Sequence, residues 1–527
     1  MHPLLWALFP PLALLGNNIS HIQPVSTIRT VLVSVLLALL VMGVAGLILR
    51  NWSKGSVIAT SFVFLFFSYG HLYNLIQNRT LFGLNVGRHR VLFPLFILVW
   101  IAIIIWVSRA KNLSALAPAL NLIGVLALVF PLYQIIAYEA RSSLNANAPA
   151  QNGALADVTG LHSPSGTTPP DIYYIILDTY TRQDTLSQFF NYDNSAFLSA
   201  LQNKGFYIAG CSQSNYPFTA VSLATSLNFN YPQTISPQLS PGNKNVSDVY
   251  PYLAHSAVVY ALHQLGYRFV ALESGFSPTE FRLADIYYSP TNNWQKVLLG
   301  DGINSFESMQ LNSSAGMLFY EFNSYLPSPL RTFLSAYVLH RERMLYEMSM
   351  LDQMASVPGP KFVFVHILAP HNPFVFGPNG EPIERKTPFT LNDDRDVVTM
   401  QDYVAGYRDQ VNYLDQRMLA IADALIRQSS VPPIIILQGD HGVPRLPEWD
   451  HTILNAYYLP AGGASALYPT ISPVNTFRVI FNQDFGGQLS LLPDQACNAD
   501  PNVNPYACPP VTDPNPQCVA LAGGQKP

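Results

Sequence analysis

The chain has 527 residues, of which 49% are hydrophobic and 11% charged, and its formal net charge is −4. A charged fraction well under the roughly 25% usual in soluble domains points to a membrane portion, and no basic patch of the kind that grips nucleic acid is present. The charge is unevenly spread: residues 1–141 hold nine Lys/Arg and one acid, Glu139, leaving 19 basic and 31 acidic residues beyond, so two physical environments share one polypeptide.

Four runs, Val31–Leu49, Ser56–Ile76, Val91–Val107 and Ala115–Tyr138, are long and apolar enough to cross a bilayer, which takes about 17–25 residues. An earlier run, Leu4–Leu15, is short, contains Pro10 and Pro11 and lacks the basic flank of a signal peptide. It reads as a fifth, irregular span, with a re-entrant or interfacial segment as the alternative. Loop charge does not orient the bundle. Arg50, Lys54, Arg109 and Lys111 lie on one side, and Arg29, Arg79, Arg88 and Arg90 on the side shared with the large C-terminal region. The spans hold no acid apart from Glu139 at the end of the last run, which argues against a transporter.

Residues 142–170 are small, polar and rich in Pro and Gly, and read as a flexible linker after a membrane region of residues 1–141. From Asp171 to about residue 492, β-rich apolar runs alternate with helical stretches. The strands are Ile172–Leu177, Phe206–Ala209, Arg268–Leu272, Lys361–Ile367 and Pro433–Leu437. The helices lie near Ser195–Asn203, Tyr252–Leu265, Thr332–Met354 and Val397–Gln428. This alternation predicts one α/β domain with a mostly parallel central sheet between helices. Residues 493–527 form a Pro-rich tail carrying Cys497, Cys508 and Cys518. With Cys211 the cysteines are few and even in number, and a tail unable to build a core gains most from a disulfide, which requires an oxidising exterior.

Ligands of open α/β sheets collect at the carboxyl ends of the strands. There, "IYYIILD" ends in Asp178 and "IIILQGDHG" delivers Asp440 and His441. Either aspartate alone reads as a turn former. Together with the imidazole and a hydroxyl they make a mixed O/N set suited to Zn²⁺ or Mn²⁺. The hydroxyl is that of Thr219, in "NYPFTAVSLATSLN", where capping a helix and acting as a metal-activated nucleophile are both open. His371, between prolines in "APHNPF", is expected in an exposed loop with a functional role. His366 alternates with apolar neighbours on a strand, where a satisfied core imidazole competes with catalysis.

The order strand-Asp, Thr-x-x-Ser opening a helix, "HILAPHNPF", "YRDQVNYLD" and "LQGDHG" resembles the alkaline phosphatase superfamily. Its nearest part is the sulfatase-like branch, which includes membrane-anchored lipoteichoic acid synthases and phosphoethanolamine transferases. The resemblance spans about Asp171–Leu492, and the multi-span N-terminus matches those transferases. It implies a transmembrane helix bundle followed by a sulfatase-like domain, held at the cell membrane with the catalytic domain outside the cytoplasm. It also implies a metal on Asp178, Thr219, Asp440 and His441, with Thr219 as nucleophile and with His371 and His451 contacting substrate phosphate or the leaving group. This chain has Asp178 where those transferases commonly have Glu.

Sulfatases convert the first residue of Cys/Ser-x-Pro-x-Arg to formylglycine, but "CSQSN" at Cys211 and "TAVSL" at Thr219 lack both the Pro and the Arg. The expectation is therefore a phosphotransferase moving a phospho-headgroup from a lipid or lipid-linked phosphodiester through a phosphothreonine. A sulfate- or phosphodiester hydrolase and an inactive membrane scaffold of the same fold are the alternatives.

Overall fold

The computed structural model describes all residues except 21, 78, 82–83, 86, 147–157, 159, 164–165, 167, 291–297, 299, 301, 323–324, 384–388, 392–397, 447–449, 461 and 525–527. The chain forms two compact units. One comprises Met1–Ser142, Asn293–Leu339 and Arg385–Thr390, and the other the remainder.

Among the described residues, five helices form the N-terminal bundle of the first unit: α1 (His2–Asn18), α2 (Ile28–Ile48), α3 (Trp52–Ile76), α4 (His89–Arg109) and α5 (Leu116–Ala146). Among the described residues, four segments are long and apolar enough to cross a membrane, Pro24–Ile48, Trp52–Ile76, His89–Arg109 and Leu116–Ala140, with mean hydropathies of 2.9, 1.4, 2.8 and 2.1. Their packing follows the physics of helices in lipid, where small residues bring backbones together and large apolar ones face outward. On α2 the buried residues are Thr30, Ser34, Ala38 and Gly46, while Leu36, Leu40 and Leu47 are more than 60% exposed. A Cβ on Gly55 would lie 2.7 Å from the backbone nitrogen of Gly46, so only glycine permits this crossing of α3 on α2. α1 is an unbroken helix through Pro10 and Pro11, and it packs on α2 and α3.

Phe306, Glu307 and Ser313 associate with one end of this bundle. Phe306 packs against Leu15, Ile19 and Ile22, Glu307 forms a salt bridge with Arg29, and the backbone at Ser313 presses on Gly70. The C-terminal ends of α1 and α3 and the N-terminal end of α2 therefore lie on one side, so α1 runs parallel to α3. A short antiparallel pair, β1 (Thr80–Leu81) and β2 (Leu84–Asn85), joins α3 to α4.

The second unit holds a seven-stranded sheet of β3 (Ile172–Leu177), β4 (Tyr207–Ile208), β5 (Arg268–Leu272), β6 (Ile286–Tyr288), β7 (Lys361–Ile367), β8 (Ile434–Gly439) and β9 (Asn455–Tyr458). Their order is β4-β9-β8-β3-β7-β5-β6. The five strands from β8 to β6 are parallel; β9 and β4 continue the sheet antiparallel. β3, β7 and β8 are buried along their whole length, as strands covered on both faces must be. Among the first covering helices are α6 (Gln183–Phe190), α7 (Ser195–Asn203) and α8 (Thr219–Leu227). Ile172, Tyr174 and Ile176 share a core with Val221 and Leu223 of α8 and with Phe477 of the helix Pro473–Asp484. Long apolar helices followed by a mostly parallel sheet between helices is the architecture that the resemblance implied.

Several elements differ from the sequence reading. β6 and β9, of three and four residues, carry too little pattern to be seen alone. The helix expected over Tyr252–Leu265 is two, Tyr250–Ala254 and Ala257–Gln264, because the Ser256 side chain caps the second. The long helix starts at Met400; its expected start near Val397 lies outside the described residues. So does much of the expected linker, although Leu161 packs on the core. The tail does contribute a core: Cys497, Ala499 and Tyr506 are buried, and β10 (Ala496–Cys497) pairs with β11 (Pro510–Val511). All four cysteines are paired, as Cys211–Cys518 and Cys497–Cys508.

Candidate metal centre

The sheet register builds the site. Leu177 of β3 pairs with Gly439 of β8, so the residues that follow, Asp178 and Asp440, emerge side by side where two central strands end. Their carboxylates and the His441 imidazole each offer an oxygen or nitrogen within 4.8 Å of the others, and all three side chains are buried. Asp178 Oδ1 lies 3.8 Å and Asp440 Oδ2 3.6 Å from His441 Nε2. Thr219 Oγ1 lies 3.4 Å from the same nitrogen.

These separations suit a cation. Donors about 2.0–2.1 Å from a tetrahedral ion stand roughly 3.3–3.4 Å apart along each edge. Asp178 Oδ1 and Asp440 Oδ2 are buried without a hydrogen-bond partner, an arrangement that is costly unless a positive charge sits between them. Nδ1 of His441 is engaged 2.8 Å from the Gly442 carbonyl, which as an N–H···O bond leaves the Nε2 lone pair for a ligand. The electrostatics agree. Burial alone would raise the Asp178 carboxyl, but the imidazoles of His371, His366 and His441 hold it below the usual carboxylate range. Burial disfavours charge on His441, yet Asp440 and Asp178 outweigh it and raise the group above its ordinary value.

The supporting contacts come from residues between the motifs. Thr179 adopts φ +62°, unusual for a β-branched residue. In that conformation its N–H donates to Asp440 Oδ1 at 2.9 Å, and its carbonyl accepts the Tyr407 hydroxyl at 2.7 Å. The same hydroxyl accepts the Thr181 N–H at 3.1 Å. Ser222, the serine of Thr-x-x-Ser, donates to the Asp440 carbonyl at 2.6 Å and ties α8 to the end of β8. His366, fully buried on β7, is 3.0 Å from Thr279 Oγ1 through Nδ1 and 3.4 Å from Asp178 Oδ2 through Nε2.

Thr219 is the first residue of α8, behind an N-cap at Phe218 that makes no side-chain cap bond. The His371 backbone N–H donates to the Asp178 carbonyl at 3.0 Å and ties the loop after β7 to the end of β3. His451 is buried, with Nδ1 3.1 Å from the Ser214 carbonyl and Nε2 3.6 Å from Asp450. Burial, aided by the charge of His441 and partly offset by Ser214, lowers His451 to about 4, so it is neutral at pH 7. In the sequence alone Thr179 and Tyr407 have no assigned role, Ser222 is only the serine of Thr-x-x-Ser, and His366 stands between a core imidazole and a catalytic one. The signal for His366 was its position one residue before the end of a strand that pairs with the strand carrying Asp178.

No family model matches the chain, and no curated protein matches it. Solved structures do resemble it. The Zn complex of the C-terminal periplasmic domain of EcEptC from Escherichia coli is 13% identical, covering 68% of this chain and 97% of that one, with a TM-score of 0.41. The integral membrane lipooligosaccharide phosphoethanolamine transferase A from Neisseria meningitidis is 11% identical, covering 97% and 99%, with a TM-score of 0.39. The putative sulfatase yidJ from Bacteroides fragilis is 12% identical, covering 62% and 76%, with a TM-score of 0.35.

Proposed function

We propose that this protein is a membrane-anchored, metal-dependent phosphotransferase of the alkaline phosphatase superfamily that moves a phospho-headgroup from a lipid donor to an acceptor hydroxyl through Thr219. The convergence of Thr219 Oγ1, Asp178 Oδ1 and Asp440 Oδ2 within 3.4–3.8 Å of His441 Nε2 carries this reading. A divalent ion held by these four side chains, Zn²⁺ or Mn²⁺, would acidify the threonine hydroxyl and neutralise charge gathering on the phosphoryl oxygens.

The chain's own residues do the rest. Thr219 Oγ1 bonds to phosphorus as the bond from phosphorus to the lipid oxygen breaks, and the hydroxyl proton ends on the departing diacylglycerol. His371 is the group assigned to the phosphate oxygens or to this leaving oxygen. In the second step the acceptor oxygen bonds to phosphorus as the bond from phosphorus to Thr219 Oγ1 breaks. Neutral His451, its Nδ1–H directed to Ser214, keeps Nε2 free to take the acceptor hydroxyl's proton, which ends on the freed Thr219 oxygen. The paired cysteines support an oxidising, extracytoplasmic setting. Cys211 is bonded to Cys518, so it is not a formylglycine precursor.

Full-length protein in detergent, incubated with headgroup-labelled phospholipid, tests this. The expected result is diacylglycerol, a modified acceptor and a phospho-headgroup mass adduct on Thr219, all lost in Thr219→Ala. A well-folded, fully active Thr219→Ala protein removes the nucleophile assignment, and release of free headgroup alone makes the protein a hydrolase.

A further inference from the structure

A second polar site lies in the membrane-associated unit, where α3 ends and α4 begins. A cleft of about 420 Å³ opens there, lined on its polar side by Arg88, His89, Arg90 and Glu321. Phe93, Pro94, Leu318 and Phe322 form its apolar wall. Among the described residues neither guanidinium has a carboxylate within ion-pair distance, and both arginines are exposed. Two guanidiniums against one carboxylate leave the cleft net positive.

Its polar side is built rather than incidental. The His89 ring stacks on Tyr73 with centroids 3.9 Å apart and planes 5° apart, and its Nδ1 is 2.8 Å from the Tyr69 hydroxyl. Gly87 is pressed onto the end of α3: a Cβ there would lie 2.1 Å from the Ile76 carbonyl oxygen and 2.3 Å from the Gln77 Cα. Only glycine allows that approach, directly before Arg88 of the cleft lining.

Charge and location select the occupant. Ile76 and His89 are the ends of two bilayer-length helices, so the cleft sits at the level where lipid headgroups meet acyl chains. Guanidiniums pair with phosphate oxygens in planar, two-pronged fashion, and the aromatic and aliphatic wall suits the chain that leaves the glycerol. We propose that this cleft binds the phosphate of a membrane glycerophospholipid, anionic lipids in preference, as a docking site separate from the metal centre. The inference does not depend on the catalytic reading.

The test uses full-length Thr219→Ala protein in a neutral detergent, so that no lipid is consumed, with phosphatidylglycerol binding followed by native mass spectrometry. Saturable binding is expected, weakened about fivefold by Arg88→Gln or Arg90→Gln and roughly twenty-five-fold by both. Arg88→Lys/Arg90→Lys, which keeps the charge but loses the fork, should fall between. Arg50→Gln/Lys54→Gln, at the other end of the helices, should bind as the parent does. Unchanged binding in the double glutamine variant overturns the site, and equal displacement of the lipid by inorganic phosphate shows that the cleft takes the free anion instead.

Discussion

Thr219 could have capped α8, but the N-cap is Phe218 and the threonine hydroxyl stands 3.4 Å from His441 Nε2. Thr219→Ala should therefore lose turnover while its stability changes by less than the ~1 kcal/mol of a lost cap. A buried titratable residue shapes stability rather than chemistry. Asp415, of "YRDQVNYLD", accepts the Tyr180 hydroxyl at 2.5 Å and the Tyr192 hydroxyl at 2.8 Å. Burial raises its carboxyl to about 7, only partly offset by the two hydroxyls. A folded-state value above the unfolded value of about 3.9 means that the stability it contributes is full below pH ~4 and is lost as pH rises through about 7, by up to about 4 kcal/mol. Asp415→Asn should flatten that slope, measured as the difference in denaturation midpoint between variant and parent from pH 4 to 8. An unaltered slope would remove the assignment.

At the scale of elements, the ends of β3 and β8 are held by the turn after β3, and that turn hangs on one side chain. The Tyr407 hydroxyl serves the Thr179 carbonyl and the Thr181 N–H, both buried. Tyr407→Phe leaves two buried backbone groups unsatisfied and should destabilise the protein by about 2–3 kcal/mol. It should also weaken metal binding, because the turn directs the Thr179 N–H at Asp440. Calorimetry and metal titration of the full chain check both; retained metal affinity would show that the turn is held by other contacts. Strands β3, β5, β7 and β8 were legible because a strand buried on both faces is a continuous apolar run. β6 and β9 were not, since their pairing rests on neighbours distant in sequence. The break at Ser256 was missed because a capping serine inside an apolar-periodic stretch looks like any other helical serine.

Across the whole molecule, the tail is fastened to the loop beyond Asp178. Arg182 forms ion pairs with Asp184 and, at 2.8 Å, with Asp513, while Cys518 reaches back 307 residues to Cys211. Cys211→Ser should lower stability by roughly 2–5 kcal/mol, read as a fall in the unfolding midpoint under non-reducing conditions. Equal stability with and without this bond would leave the tail no anchoring role. By itself, the sequence determined the division into apolar helices and an α/β domain, and it named Asp178, Thr219, Asp440 and His441. The helices and the strand-end residues Asp178, Asp440 and His441 follow from local rules, a run long enough to cross lipid and polar residues where a buried strand ends; Thr219, at the start of a helix, entered through the family resemblance. Only the tertiary structure decided the strand order that sets β3 beside β8, the association of Phe306, Glu307 and Ser313 with the helix bundle, and the partners Thr179, Ser222, His366 and Tyr407. Those contacts join residues tens to hundreds of positions apart, and no local pattern encodes which distant group a buried hydroxyl or imidazole will meet.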